Sequence, residues 1–137
     1  MTVEHVQPDN LAPSLGQYSQ VTRDPASGLV FVAGQVAIDE RGDMVGVGDI
    51  AAQTVQTFRN VQAALEGAGS SLAETLKLMT YIVRADDLPA FRAARTMVFE
   101  ELFPDGNYPA HTLVVVAGLS APEHLIEIEA VAVAGEG

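Results

Sequence analysis

The chain has 137 residues and a mass of 14.4 kDa, with 48% hydrophobic and 18% charged residues. That is the length and composition of one globular domain, residues 1–137, able to bury its own core, and it excludes a disordered tail protein. Seven basic against eighteen acidic residues give a net charge of −11, which repels phosphate backbones and argues against nucleic-acid binding. With no cysteine there is no disulfide framework, no thiolate nucleophile and no Cys-based zinc site.

The N-terminal stretch Met1–Ser14 has neither a basic nor an apolar leader segment. No apolar run approaches the roughly 20 residues of a membrane-spanning helix. The expected setting is the cytoplasm, without a membrane partner.

Residues 17–22 and 29–36 read as two strands, joined by the turn-forming segment Arg23-Asp-Pro-Ala-Ser-Gly28. A polar loop, residues 39–43, follows. Asp49 is a suitable N-cap for a helix running to Gly67, with Val55, Phe58, Val61 and Leu65 on one face. The cluster Gly67-Ala-Gly-Ser-Ser71 ends it. Residues 75–83 (TLKLMTYIV) predict a third strand. Asp87-Leu-Pro89 opens a second helix whose buried stripe is expected at Phe91, Ala94, Val98 and Leu102, with Pro104-Asp-Gly106 as its stop. Residues 110–116 and 124–134 supply the last two strands, and Gly135-Glu-Gly137 reads as a frayed end. The order ββαβαββ, two helices against a mostly antiparallel sheet, is an α+β architecture.

Common enzyme motifs are missing: there is no GxGxxG, P-loop, HExxH or GxSxG. His5, His111 and His124 show no metal-ligand spacing, so no metal site is expected. In Leu125-Ile-Glu-Ile-Glu-Ala130, strand alternation puts Glu127 and Glu129 on one face, roughly 7 Å apart, and Ile126, Ile128 and Ala130 on the other. The carboxylate face is either solvated or lines a cleft where a carboxylate acts as base. Gly34, inside the apolar run Val30–Val36, marks a bulge or a close approach by a ligand. Tyr18 shares a face with Gln20, and His111 opens the strand His-Thr-Leu-Val-Val-Val116.

The segments Leu15-Gly-Gln-Tyr-Ser-Gln20, Val30-Phe-Val-Ala-Gly-Gln-Val36, Thr57-Phe-Arg-Asn-Val61, Tyr108-Pro-Ala-His-Thr112, Val116-Ala-Gly-Leu119 and Ile126-Glu-Ile-Glu-Ala130 together resemble the Rid (YjgF) family of reactive-intermediate or imine deaminases. The resemblance spans about residues 10–134 and implies a chorismate-mutase-like fold, with two helices on one face of the sheet. It also implies a homotrimer whose sheets close into a barrel, with small-molecule clefts between subunits. Active relatives hydrolyse 2-imino or 2-aminoacrylate-type acids to 2-oxo acids and ammonia without a metal or organic cofactor. By the same resemblance Glu127 would position or activate water. Tyr18, Ala33 and Gly34 would line the cleft, and Leu113 would offer backbone contacts. Ala33 stands where relatives often carry serine.

In such relatives an arginine in Pro-Ala-Arg clamps the substrate carboxylate, whereas His111 stands there in this chain. Arginine offers a permanently charged fork, while histidine offers one directed donor and is mostly neutral at pH 7. Loss of a charge-assisted pair costs about 2–5 kcal/mol, or roughly 30-fold to several thousandfold in binding. Weak activity on simple 2-imino acids is therefore expected. Glu127 is expected on the same side of the sheet as His111 and within its reach, with Glu129 more peripheral. Arg95, on the second helix, is the arginine that could reach a neighbour's cleft. Two functions follow: a hydrolase of an imine, enamine or related C–N bond using His111 and Glu127, or a non-catalytic binding or regulatory trimer that kept the cleft.

Overall fold

Asp49 starts the first helix as its sequence predicts: its side chain accepts a hydrogen bond from the Ala52 amide at 3.0 Å. This helix, α1 (Ile50–Gly67), buries Phe58, Val61 and Leu65. Gly69 ends the turn after it in the left-handed region at φ +80°, while the Ser70 amide donates to the Leu65 carbonyl at 2.8 Å. The structure is a computed structural model describing residues 2–135. The last two residues of the expected frayed end, Glu136 and Gly137, lie outside it.

The second helix, α2 (Leu88–Leu102), carries Pro89 in its first turn and packs on α1. Its buried stripe is Phe91, Ala94 and Phe99, continued by Phe103 just past its end. The expected Val98 and Leu102 are only half-buried. Aromatic packing sets this rotation: Phe99 meets Phe58 of α1 edge-on at 5.6 Å and Phe103 at 5.1 Å.

Both helices cover one face of a six-stranded sheet. Its strands are β1 (Glu4–Val6), β2 (Val21–Arg23), β3 (Leu29–Gln35), β4 (Thr75–Ile82), β5 (Ala110–Val115) and β6 (Ile126–Val133), in spatial order β1-β2-β3-β6-β4-β5. The β4–β5 pair is parallel and the others are antiparallel, giving the expected α+β class. The β2–β3 hairpin closes through the predicted turn, with Gly28 at φ +78° and its amide donating to the Asp24 carbonyl at 2.8 Å.

Two expectations change at the N-terminal end. The predicted strand at residues 17–22 is replaced by β2 at Val21–Arg23, and residues 17–20 form a loop. A further strand, β1, pairs with β2 and makes the order βββαβαββ.

Strand register fixes which side chains share a face. Tyr81 pairs with Glu127, Met79 with Glu129, and Leu78 with both Ala130 and His111. Paired residues project to the same face, and alternate residues to opposite faces. Ile126, Ile128, Ala130 and Ala132 of β6 are buried beneath the helices, while Glu127 and Glu129 face away. His111 therefore lies on the helix side.

Candidate active site

Glu127 sits where a strand irregularity makes room for it. The β3–β6 register shifts between Val32 and Gln35, so the bulge predicted at Gly34 is present. A Cβ on Gly34 would overlap the Glu127 carboxyl group and come within 2.9 Å of Glu127 Cγ. Burial raises the Glu127 pKa above the usual carboxylate value, and the neighbouring Glu129 charge adds to the shift. Glu129 is already engaged, accepting a hydrogen bond from the Tyr81 hydroxyl. That bond, with burial and the two glutamates, pushes the Tyr81 pKa up to about 12. Glu127 is thus the carboxylate of the two with no side-chain hydrogen-bond partner among the described residues.

Glu127 opens onto a concavity of about 860 Å³ whose lining includes Tyr18, Gln20, Ala33, Gly34, Ser120 and His124. Buried amides hold its walls. Gln35 donates to the Gln20 side chain at 2.8 Å and to the Ala33 carbonyl at 3.0 Å, and Gln20 donates to the Ala12 carbonyl at 3.1 Å. These bonds tie the Tyr18 loop to the bulge. On the other wall, Gln53 of α1 donates to the Glu123 carbonyl at 3.0 Å and accepts from the Leu125 amide at 2.9 Å. Asn60 fixes the chain after β3 through the Val36 and Ile38 carbonyls at 2.8 and 2.7 Å. A buried amide on a helix gives no sign in sequence of which distant loop it clamps.

His111 lies in a different place. Its Nε2 is 2.8 Å from Thr80 Oγ1, its ring meets Phe91 edge-on at 6.4 Å, and Arg95 Nη1 is 3.5 Å from Nδ1. A guanidinium can only donate, so Nδ1 accepts and the ring proton sits on Nε2, directed at Thr80. Burial, reinforced by the Arg95 and Lys77 charges, lowers the His111 pKa to about 4. At neutral pH it is an uncharged imidazole with both nitrogens occupied, a poor general acid. A separate concavity of about 360 Å³, lined by Arg95, Thr96, Phe99, Glu100, Tyr108, Pro109 and His111, opens beside it.

One chain therefore brings together Tyr18, Ala33, Gly34 and Glu127, but not His111. The expectation that His111 and Glu127 share a side of the sheet is corrected by the β4–β5 and β4–β6 registers, which put them on opposite faces. Leu113 turns its side chain to the core, so only its backbone on the outer edge of β5 is offered outward. Among the candidates that sequence reasoning missed, His124 is buried, with Nδ1 unpartnered among the described residues, and burial lowers its pKa. Among the described residues no cluster of three His, Asp or Glu side chains could hold a metal ion, and no helix is long and apolar enough to cross a membrane.

Comparison with known proteins gives this arrangement a lineage. The chain is 36% identical over 132 residues to 3-aminoacrylate deaminase RutC of Acinetobacter baylyi, covering 96% of this chain and 98% of that protein. It is 36% identical over 119 residues to a mitochondrial protein of Schizosaccharomyces pombe, mmf2, covering 85% and 87% of the two chains. The crystal structure of the Escherichia coli YjgF gene product superposes with a TM-score of 0.83 at 27% identity, covering 95% of this chain and 98% of that one. A family model described as Endoribonuclease L-PSP matches residues 9–134, nearly the whole length. The chain belongs to that family, the YjgF/Rid/RutC family.

Proposed function

We propose that the protein is a hydrolytic deaminase of a small enamine or imine, acting in a cleft completed by two copies of the chain. The observation that carries this reading is the half-buried Glu127, raised in pKa and seated over Gly34 at the back of a shaped concavity. A carboxyl group raised in pKa holds its proton more readily than an ordinary carboxylate, and in a cleft it can give that proton and take one back. Protonated Glu127 delivers a proton to the enamine carbon, forming the iminium. The resulting carboxylate takes a proton from the water that adds to the C=N carbon. Collapse of the carbinolamine releases ammonia and leaves a carbonyl, so one water is consumed for each C–N bond broken. The relative named 3-aminoacrylate deaminase supports an enamine as substrate.

The same geometry supports assembly from two copies. Glu127 and His111 open into separate concavities on opposite faces of one sheet, and β5 has a strand neighbour on one side only. An unpaired edge and two half-sites are both completed if the β5 edge of one copy seats against the Glu127 face of the next. A closed ring of three copies covers the β5 edge of each chain in the same way, with β1 remaining the other edge of the sheet. In that ring His111 orients neighbouring groups through its fixed tautomer and does not itself donate a proton. The net charge of −11 opposes an RNA substrate, whatever the family model's description.

The direct test is ammonia release from enzymatically generated enamines and 2-imino acids, with Glu127→Gln beside the wild type. Turnover by the wild type that falls by about 100-fold or more in the folded variant is expected. Equal turnover by both proteins would contradict the assignment of Glu127.

A further inference from the structure

We propose that Arg95, from α2, is the anion-binding group of the cleft and selects substrates carrying a carboxylate. Its guanidinium carbon lies 5.3 Å from the Phe91 ring centroid and 5.9 Å from that of Phe99. The rings attract the guanidinium charge without using its N–H donors. One donor is directed at His111 Nδ1 at 3.5 Å, and His111 is itself anchored to the buried Thr80 hydroxyl. The guanidinium is therefore oriented on three sides, with donors to spare.

No carboxylate answers it. The ion pairs among the described residues engage Arg41 and Arg84, while Arg95 makes none, although Glu100 lines the same concavity. Arg23 and Lys77 are likewise partly buried and without an ion pair among the described residues, but neither lines this concavity. The desolvation of Arg95 has already been met by the fold, as the lowering of its pKa by burial and by the Arg92 charge reflects. The cavity it opens onto, about 360 Å³ with Tyr108 as a wall, has room for a small carboxylate. Two N–H groups of one guanidinium edge match the two oxygens of such a group. From the sequence Arg95 is an arginine that could reach a neighbour's cleft, but its place beside His111 depends on helix-to-sheet packing.

This inference rests on the cleft being a small-molecule site, and it is tested without turnover. Binding of pyruvate and of its neutral isostere pyruvamide is measured by calorimetry for the wild type, Arg95→Gln and Arg95→Lys. The wild type is expected to prefer pyruvate by about tenfold or more. Arg95→Gln should erase that preference while leaving pyruvamide binding in place, and Arg95→Lys should restore part of it. A preference retained by Arg95→Gln, or no preference in the wild type, overturns the assignment. An Arg95-dependent preference in a protein that releases no ammonia from any enamine or imine upholds the anion site and removes the deaminase reading alone.

Discussion

The Glu127 carboxyl group occupies the space that a side chain at position 34 would need. Gly34 is thus required by volume: its backbone is not among the glycines with positive φ, so conformational freedom is not the reason. Gly34→Ala should leave the sheet intact at a cost of about 1–3 kcal/mol for overpacking. It should also drive Glu127 off the bulge, with ammonia release falling at least as far as in a mispositioned-base variant, about 100-fold. Thermal melting alongside the activity assay separates the two effects. Unchanged turnover in Gly34→Ala would mean that the seat of Glu127 over Gly34 has no bearing on the chemistry.

The pH dependence of kcat/KM reports the free protein's essential groups. Its basic limb should follow Glu127, which reacts first in its protonated form, and lie above the usual carboxylate value, because burial and the Glu129 charge both raise that group. Glu129→Gln removes the second cause only. The limb should therefore move to lower pH while the maximal rate changes little, and a limb that stays in place would show that Glu129 does not couple to the reacting group.

Much of this fold is legible in the sequence wherever the signal is local. The Asp49 cap, the stop at Gly69, the alternation of β6 and the bulge at Gly34 all depend on neighbours within a few residues. β1 is not legible: three residues, Glu4–Val6, carry no pattern, and their strand exists only because β2 offers an edge. The α2 stripe turns toward Phe99 because Phe58 lies across from it, a contact no single-helix periodicity contains. The candidate site came from the sequence mainly through the family resemblance. Tyr18, Ala33, Gly34 and Glu127 fall into one concavity, whereas the side of the sheet taken by His111 depends on a parallel β4–β5 register between distant segments. The sequence offers Arg95 as an arginine that could reach a neighbour's cleft, and its place beside His111 emerges from packing.

His111 also leaves a mark on stability. Its pKa in the folded chain, about 4, lies below the ordinary value of 6.5, so the unfolded chain binds the proton more readily between those limits. The contribution of the neutral ring is complete above pH 6.5 and is lost as pH falls toward 4. After allowance for its partial exposure this amounts to about 1 kcal/mol between pH 7 and pH 5. In urea unfolding, the wild type should lose about that much more stability than His111→Gln over the same interval. Parallel pH profiles for the two proteins would show that the ring protonates freely in the folded state.

The central claim is that the site is built from two copies, with Glu127 from one and the Arg95–His111 pocket from the next. Static light scattering should first give three times the chain mass of 14.4 kDa. The decisive measurement is complementation. Glu127→Gln and Arg95→Glu chains, each inactive on a carboxylate-bearing enamine when assembled alone, are unfolded together in equal amounts, refolded as mixed oligomers and assayed for ammonia release. Random mixing leaves both halves intact at about one interface in four, so recovery of roughly a quarter of wild-type activity is expected. No recovery above the separate variants, in mixed oligomers of the correct mass, would contradict a site shared between chains.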